Sequence, residues 1–246
     1  MSPPGRATYH LGIRPGAMPA RVLLTGDPAR ARRVAESWSA STALAEHREF
    51  SSYAGRYRGM ALGVVSTGIG GPAMAIAVEE LARLGATTLL RVGSSGAVAP
   101  SVRAGDLVIT SASGRFDGAS RAYAPPGYPA VASPEVVRAL ESAATRQRAR
   151  FHVGTTASVD TFYLEQGRPG FGGYLPADLR DARERLRRLN FLNIEMETAT
   201  LLTIAGVYGL RAGAVCAVFG ERRDGTPLPR GEETAIRVAN EALATL

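Results

Sequence analysis

Lysine is absent from the 246 residues, so all 29 basic side chains are arginine. Against 22 acidic residues they give a formal net charge of +7, but they are scattered along the chain rather than gathered in one segment. The dense runs at 29–33, 146–150 and 183–188 carry few interleaved aromatics on which bases would stack. The basicity therefore reads as compositional bias, and no nucleic-acid partner is expected. Cysteine is nearly absent too. Cys216 stands alone in the apolar run AGAVCAVF, which excludes an internal disulfide framework and reads as a buried thiol in a reducing compartment. His10, His47 and His152 show no metal-ligand spacing, and one cysteine makes no zinc site, so neither a metal nor a cofactor is expected. The sequence has no P-loop, no dinucleotide-binding GxGxxG and no GxSxG elbow, which excludes three common routes to nucleotide or ester chemistry. No stretch approaches eighteen uninterrupted apolar residues, and the opening MSPPGRATYHLG lacks the apolar core of a signal peptide. The expectation is a cytoplasmic protein with no membrane partner.

What the sequence does contain is alternation. With 45% hydrophobic residues, short apolar runs that read as buried strands (21–26, 60–67, 87–93, 106–113, 151–160, 211–219) alternate with helical patterns. The helices are expected at 28–38, 72–85, 134–148, 176–189, in METATLLTIAGVYGL and from about 231 onward. Such alternation predicts an α/β fold with a largely parallel central sheet and helices on both faces. No repeat, low-complexity tract or linker divides the chain, so one domain spanning 1–246 is expected.

Four stretches carry chemistry. In TGDPARARR, Pro28 suits the first helical position and Arg30 follows Gly26 closely; the stretch is either an anion site at a helix start or a simple strand-to-helix turn capped by Asp27. In LLRVGSSGAV, Arg91 interrupts an apolar strand whose carboxyl end carries Ser94, Ser95 and Gly96, where open α/β sheets place ligands. A guanidinium there requires an anionic partner, either a bound ligand or a buried glutamate. Arg30, Arg48 and Arg91, each beside glycine- or serine/threonine-rich turns, form a candidate cradle for a phosphate dianion. In DTFYLEQGR, Phe162, Gln166 and Arg168 provide a stacking face, an amide and a cationic fork, which match a pyrimidine base if the segment is more than a surface loop.

The fourth stretch, FLNIEMETATLL, sets Glu195 and Glu197 in an otherwise apolar run. On a helix, residues two apart point about 200° away from each other, whereas on an extended segment they share a face. A buried carboxylate is destabilising unless it is paired or binds something.

Taken together, GDPARA, HREF, STGIGGP, LRVGSSGA, GDLVITSAS, HVGTTAS, EMETATLLT and GLRAG resemble the nucleoside phosphorylase family, in particular its uridine-cleaving branch, along nearly the whole chain. The resemblance implies a three-layer α/β/α fold with a central mixed sheet and reversible phosphorolysis of a nucleoside. It implies that Gly26, Arg30, Arg91 and Ser94 bind phosphate and that Arg48 arrives from a neighbouring subunit. Glu195, Met196 and Glu197 match the ribose segment, with Glu195 alternatively pairing with an arginine, and His10 matches a neighbouring subunit's contact to the 5′-hydroxyl. Ser95, Gly96, Phe162, Gln166, Arg168 and Arg222 match the base pocket. Arg91, Arg30, Glu197, Gln166 and Arg168 are the catalytic candidates. The family precedent is a hexamer built as a trimer of dimers. Some members hold a potassium ion between subunits through a serine hydroxyl, a carboxylate matching Glu49 and a carbonyl matching Ile69; here the serine position is Ala73, which argues against that ion. The loop FGERRDG also departs from the uridine-cleaving pattern and keeps a purine nucleoside phosphorylase open, with Glu221 or Asp224 as acid. A nucleosidase using water, or a nucleoside-binding protein without turnover, are the remaining alternatives.

Overall fold

The computed structural model describes residues 6–221 and 227–246. β1 (Arg21–Thr25) leads into α1 (Pro28–Glu36), and β2 (Ala40–His47), β3 (Phe50–Tyr57) and β4 (Met60–Ser66) form a meander that leads into α2 (Gly71–Arg83). β5 (Thr88–Ala97), β6 (Leu107–Arg115), α3 (Ala119–Tyr123), β7 (Ala130–Val131), α4 (Pro134–Arg146) and β8 (Phe151–Ser158) follow. After three short 3₁₀ turns come α5 (Ala182–Arg188), β9 (Asn193–Glu195), α6 (Thr198–Tyr208) and β10 (Arg211–Val218). A ribbon of β11 (Gly220–Glu221) and β12 (Pro227–Leu228) precedes α7 (Glu232–Thr245).

β1 to β10 share one sheet, in the order β10-β6-β8-β9-β5-β1-β4-β3-β2, with β7 beside β6 and a further pairing between β10 and β5. Among the described residues, five of its pairings are parallel and five antiparallel. The sheet is thus mixed rather than largely parallel. Two of the five antiparallel pairings come from β2 and β3, which the apolar pattern does not reveal: ASTALAEH forms an edge strand with no fully buried residue, so no apolar face marks it. The polar helix expected over 176–189 is shorter, with α5 beginning at Ala182 after a 3₁₀ turn at Ala177–Leu179.

Side-chain alternation divides the core between the two faces of the sheet. Leu23, Val64, Leu90 and Val92 pack with α1, α4 and α7 on one side. Val22, Leu24, Val65 and Leu89 pack with α2 and α6 on the other. Because both faces are covered, the central strands read as continuous apolar runs. Arg91 falls in the alternation with Leu89, so its side chain leaves the sheet on the face where α6 begins.

β5 also changes neighbours along its length. β1 accompanies it only as far as Arg91, whereas β9 joins it at Gly96 and Ala97. Between these pairings the sheet opens on one side of β5, and β5, β10, β6, β8 and β9 close into a ring. The opening lies at the carboxyl ends of β1 and β5, where strand order switches and open sheets place their ligands.

Candidate active site

A cavity of about 920 Å³ occupies this opening. Gly26, Arg30, Ile69, Arg91, Ser94, Ser95, Gly96, Phe162, Gln166, Arg168, Glu195, Met196 and Glu197 are among the residues that line it. Sequence segments far apart in the chain are brought together here.

Arg91 is the best-buried cation of the site, at 3% exposure. Its Nε donates to Glu195 Oε2 at 3.0 Å, and its Nη2 donates to Glu197. Gly93, two residues on, faces the same side, and a Cβ there would stand 2.9 Å from Arg91 Nη2 and 2.8 Å from Cys216 Sγ. Glycine at 93 therefore provides the room in which the guanidinium lies. Arg91 Nη1 is buried and has no hydrogen-bond partner among the described residues. Burial disfavours the charged form, but the two carboxylates outweigh it and raise the Arg91 pKa further.

The two glutamates differ in role. Glu195 ends β9, and both of its oxygens are engaged by the protein: Oε2 accepts from Arg91, Glu197 N at 2.9 Å and Thr198 N at 3.0 Å, and Oε1 accepts from Ser158 Oγ and Thr198 N. This saturation makes Glu195 the partner that holds Arg91 and the start of α6, leaving it little capacity for a sugar. Glu197 sits at the N-cap of α6 and accepts from Gly70 N at 2.6 Å as well as from Arg91. Gly70 can point its N–H there because its φ of 94° suits glycine. Burial raises the Glu197 pKa; Arg91 opposes this, while the neighbouring Glu195 charge adds to it. The carboxylate pair in the apolar run is thus one guanidinium's double counter-charge, and both members line the cavity, Glu197 with fewer of its acceptor positions taken by the protein.

Arg30 enters from the first turn of α1, where Asp27 caps the helix by accepting from Ala29 N at 2.9 Å. It too is buried, at 6% exposure. Arg48 and His10 do not line this chain's cavity. Arg48 is exposed at the β2–β3 turn with a φ of 56°, and His10 is held by Glu80, which accepts from His10 Nδ1 at 3.0 Å and from the backbone N–H groups of His10 and Leu11.

Gln166 is buried at 5% exposure in a 3₁₀ turn, whereas Phe162 is 37% exposed. The Arg168 guanidinium stacks on the Phe162 ring, 4.4 Å from its centroid. Ser95 Oγ accepts from Asn193 Nδ2 at 2.9 Å, which leaves the serine hydroxyl proton available for an acceptor in the cavity. Arg222 lies outside the described residues. Of the oxygen set that would hold potassium, Glu49 and Ile69 border the cavity, but Ala73 supplies no hydroxyl, so the residues present do not complete it. Among the described residues no helix is long and apolar enough to cross a membrane.

Sequence reasoning overlooked Ser158, Arg183, Phe219 and Glu232. Arg183 and Phe219 line the cavity, Ser158 holds Glu195, and Glu232 pairs with Arg30. Only their neighbours in space give them a role, and no spacing within the sequence signals it.

The doubly covered mixed sheet, with a cavity at its switch point that carries two buried arginines and two buried glutamates, defines an α/β protein with a charged ligand-sized site. A profile of the phosphorylase superfamily matches residues 20–246, and the chain belongs to that family. The uridine phosphorylase of Thermococcus kodakarensis is 48% identical over 97% of this chain and 86% of the relative. That of Escherichia coli is 40% identical over 97% of each. The guanosine phosphorylase of Halorubrum lacusprofundi is 38% identical over 86% of this chain and 82% of its own length.

Proposed function

We propose that the chain catalyses the reversible phosphorolysis of uridine to uracil and ribose 1-phosphate, as a cytoplasmic pentosyltransferase of pyrimidine nucleoside salvage. The observation that carries the reading is the buried Arg91 Nη1, which lacks a partner among the described residues and belongs to a side chain that lines the cavity together with Arg30 and Ser94. Phosphate oxygens are the natural acceptors, since a guanidinium binds them through its fork. Glu197 borders the next part of the cavity and accepts hydrogen bonds from the ribose diol, strengthened by dry surroundings. Gln166 and Arg168 bind the uracil edge, and Phe162 offers it an aromatic face.

As the C1′–N1 bond breaks, its electron pair passes to the base and positive charge grows on the ribose ring. Phosphate held by Arg30 and Arg91 stabilises that charge and forms the new bond to C1′. Gln166 and Arg168 stabilise the departing anion, which takes its proton from water. Inorganic phosphate is a co-substrate, and the residues call for no cofactor.

The guanosine phosphorylase relative supports a second reading, in which the same phosphate and ribose groups serve a purine. The two are separated by comparing kcat/KM for uridine with that for inosine and guanosine. A site whose buried polar groups match uracil leaves them unpaired with a purine, so uridine is expected to be preferred by at least about a hundredfold. Inosine or guanosine as the better substrate would establish the purine reading.

His10 and Arg48 complete the site from a neighbouring subunit, in a hexamer assembled as a trimer of dimers. Arg48→Ala and Arg91→Ala variants, each inactive alone, are expected to regain activity when mixed and reassembled, because some sites then draw both arginines intact. Verified mixed oligomers that stay inactive would place each site within one chain.

A further inference from the structure

We infer that Glu232 is a positioning residue that holds Arg30 in its phosphate-binding pose. This rests on the reading of the cavity as a phosphate site. Glu232 is the first residue of α7, 202 positions beyond Arg30, and its Oε1 accepts from Arg30 Nε at 2.7 Å. The same oxygen accepts from Arg33 Nη2, one turn further along α1. Arg30 is steadied at two other points: Nη1 donates to the Val92 carbonyl at 3.3 Å, and its Cζ lies 5.9 Å from the Phe219 ring centroid. Glu232 thus takes the Nε edge of the guanidinium, and Arg30 still borders the cavity.

An arginine has many rotamers, and ordering it in advance lowers what phosphate must supply on binding. A carboxylate beside an anion site also repels the anion, and this opposing effect is limited here. Two arginines share the Glu232 carboxylate, so that trio keeps a net positive charge, and the Glu233 carboxylate, 3.8 Å from Arg33 Nε, is exposed enough for solvent to screen it. Both guanidiniums hold the Glu232 carboxyl below the usual range against the effect of its partial burial, so it is charged at neutral pH.

Charge and positioning predict opposite results. If Glu232 acted only as a nearby negative charge, neutralising it would tighten phosphate binding; if it positions Arg30, losing the contact weakens it. Steady-state kinetics on Glu232→Gln and Glu232→Asp, with phosphate and uridine varied separately, distinguish the two. The aspartate keeps the charge but falls one methylene short; the glutamine keeps the reach but loses the charge. Both are expected to raise KM for phosphate by about tenfold, the scale of one charge-assisted hydrogen bond, with KM for uridine within about twofold of the parent. An unchanged or lower KM for phosphate in both variants, or equal rises in both KM values, would overturn the inference. A parent protein that releases uracil equally fast without phosphate would overturn the underlying reading instead, and that result appears before any variant is made. Should a variant be poorly folded, the shift of its melting temperature by inorganic phosphate replaces the kinetic readout: protection equal to the parent's contradicts the inference, and reduced protection supports it.

Discussion

Replacing Arg91 by alanine is expected to lower kcat/KM for uridine phosphorolysis by about a hundred- to a thousandfold, the range over which a single preorganised electrostatic group acts. Arg91 is the group whose Nη1 awaits an acceptor while Nε and Nη2 are fixed by Glu195 and Glu197. The substitution also leaves two buried carboxylates without their cation, a strongly destabilising change. Arg91→Lys therefore accompanies it, keeping the charge but not the fork that spans two carboxylates and is proposed to take a phosphate as well. The lysine variant is expected to fold and to recover only a small part of the lost rate, chiefly through a higher KM for phosphate. Recovery to near the parent rate would show that charge alone suffices and that the fork geometry has no role.

Glu197→Ala is expected to reduce kcat/KM by a comparable factor of about a hundred or more for the ribonucleosides uridine, inosine and guanosine alike. The loss is expected to be independent of the base because the role proposed for Glu197 is with the sugar. It removes the proposed acceptor for the ribose diol, together with one of the two counter-charges of Arg91 and the acceptor of the Gly70 N–H. A loss that varied widely with the base, while the variant remained folded by circular dichroism, would place Glu197 at the wrong end of the cavity.

How much of this is legible in the sequence depends on the range of the interaction. Arg91 stands out because a cation interrupts a doubly covered strand, and Glu197 because a carboxylate interrupts an apolar helix start. Both are violations of a local pattern, and such violations mark function. The pairing of Arg91 with Glu195 and Glu197 is stated by the structure alone, because 104 and 106 residues separate the partners. Glu232 lies in an ordinary acidic first turn of a helix, and nothing within its own segment distinguishes it from Glu233. β2 and β3 escape the pattern for another reason: an edge strand with a mostly exposed burial profile has no apolar signature, and the strand it pairs with is read through small residues such as Ser51, Ser52 and Ala54. The closure of five strands into a ring follows from β5 exchanging β1 for β9, a register fact that hydrophobic alternation cannot encode.

The central claim is that phosphate, held by Arg30 and Arg91, is the nucleophile at C1′. It is tested most directly by following uracil release from uridine in rigorously phosphate-free buffer, then adding inorganic phosphate and identifying the sugar product. The account predicts negligible release without phosphate, a saturable rise with it, and ribose 1-phosphate in equal amount to uracil. Uracil released at the same rate in both buffers, with free ribose as the product, would contradict it.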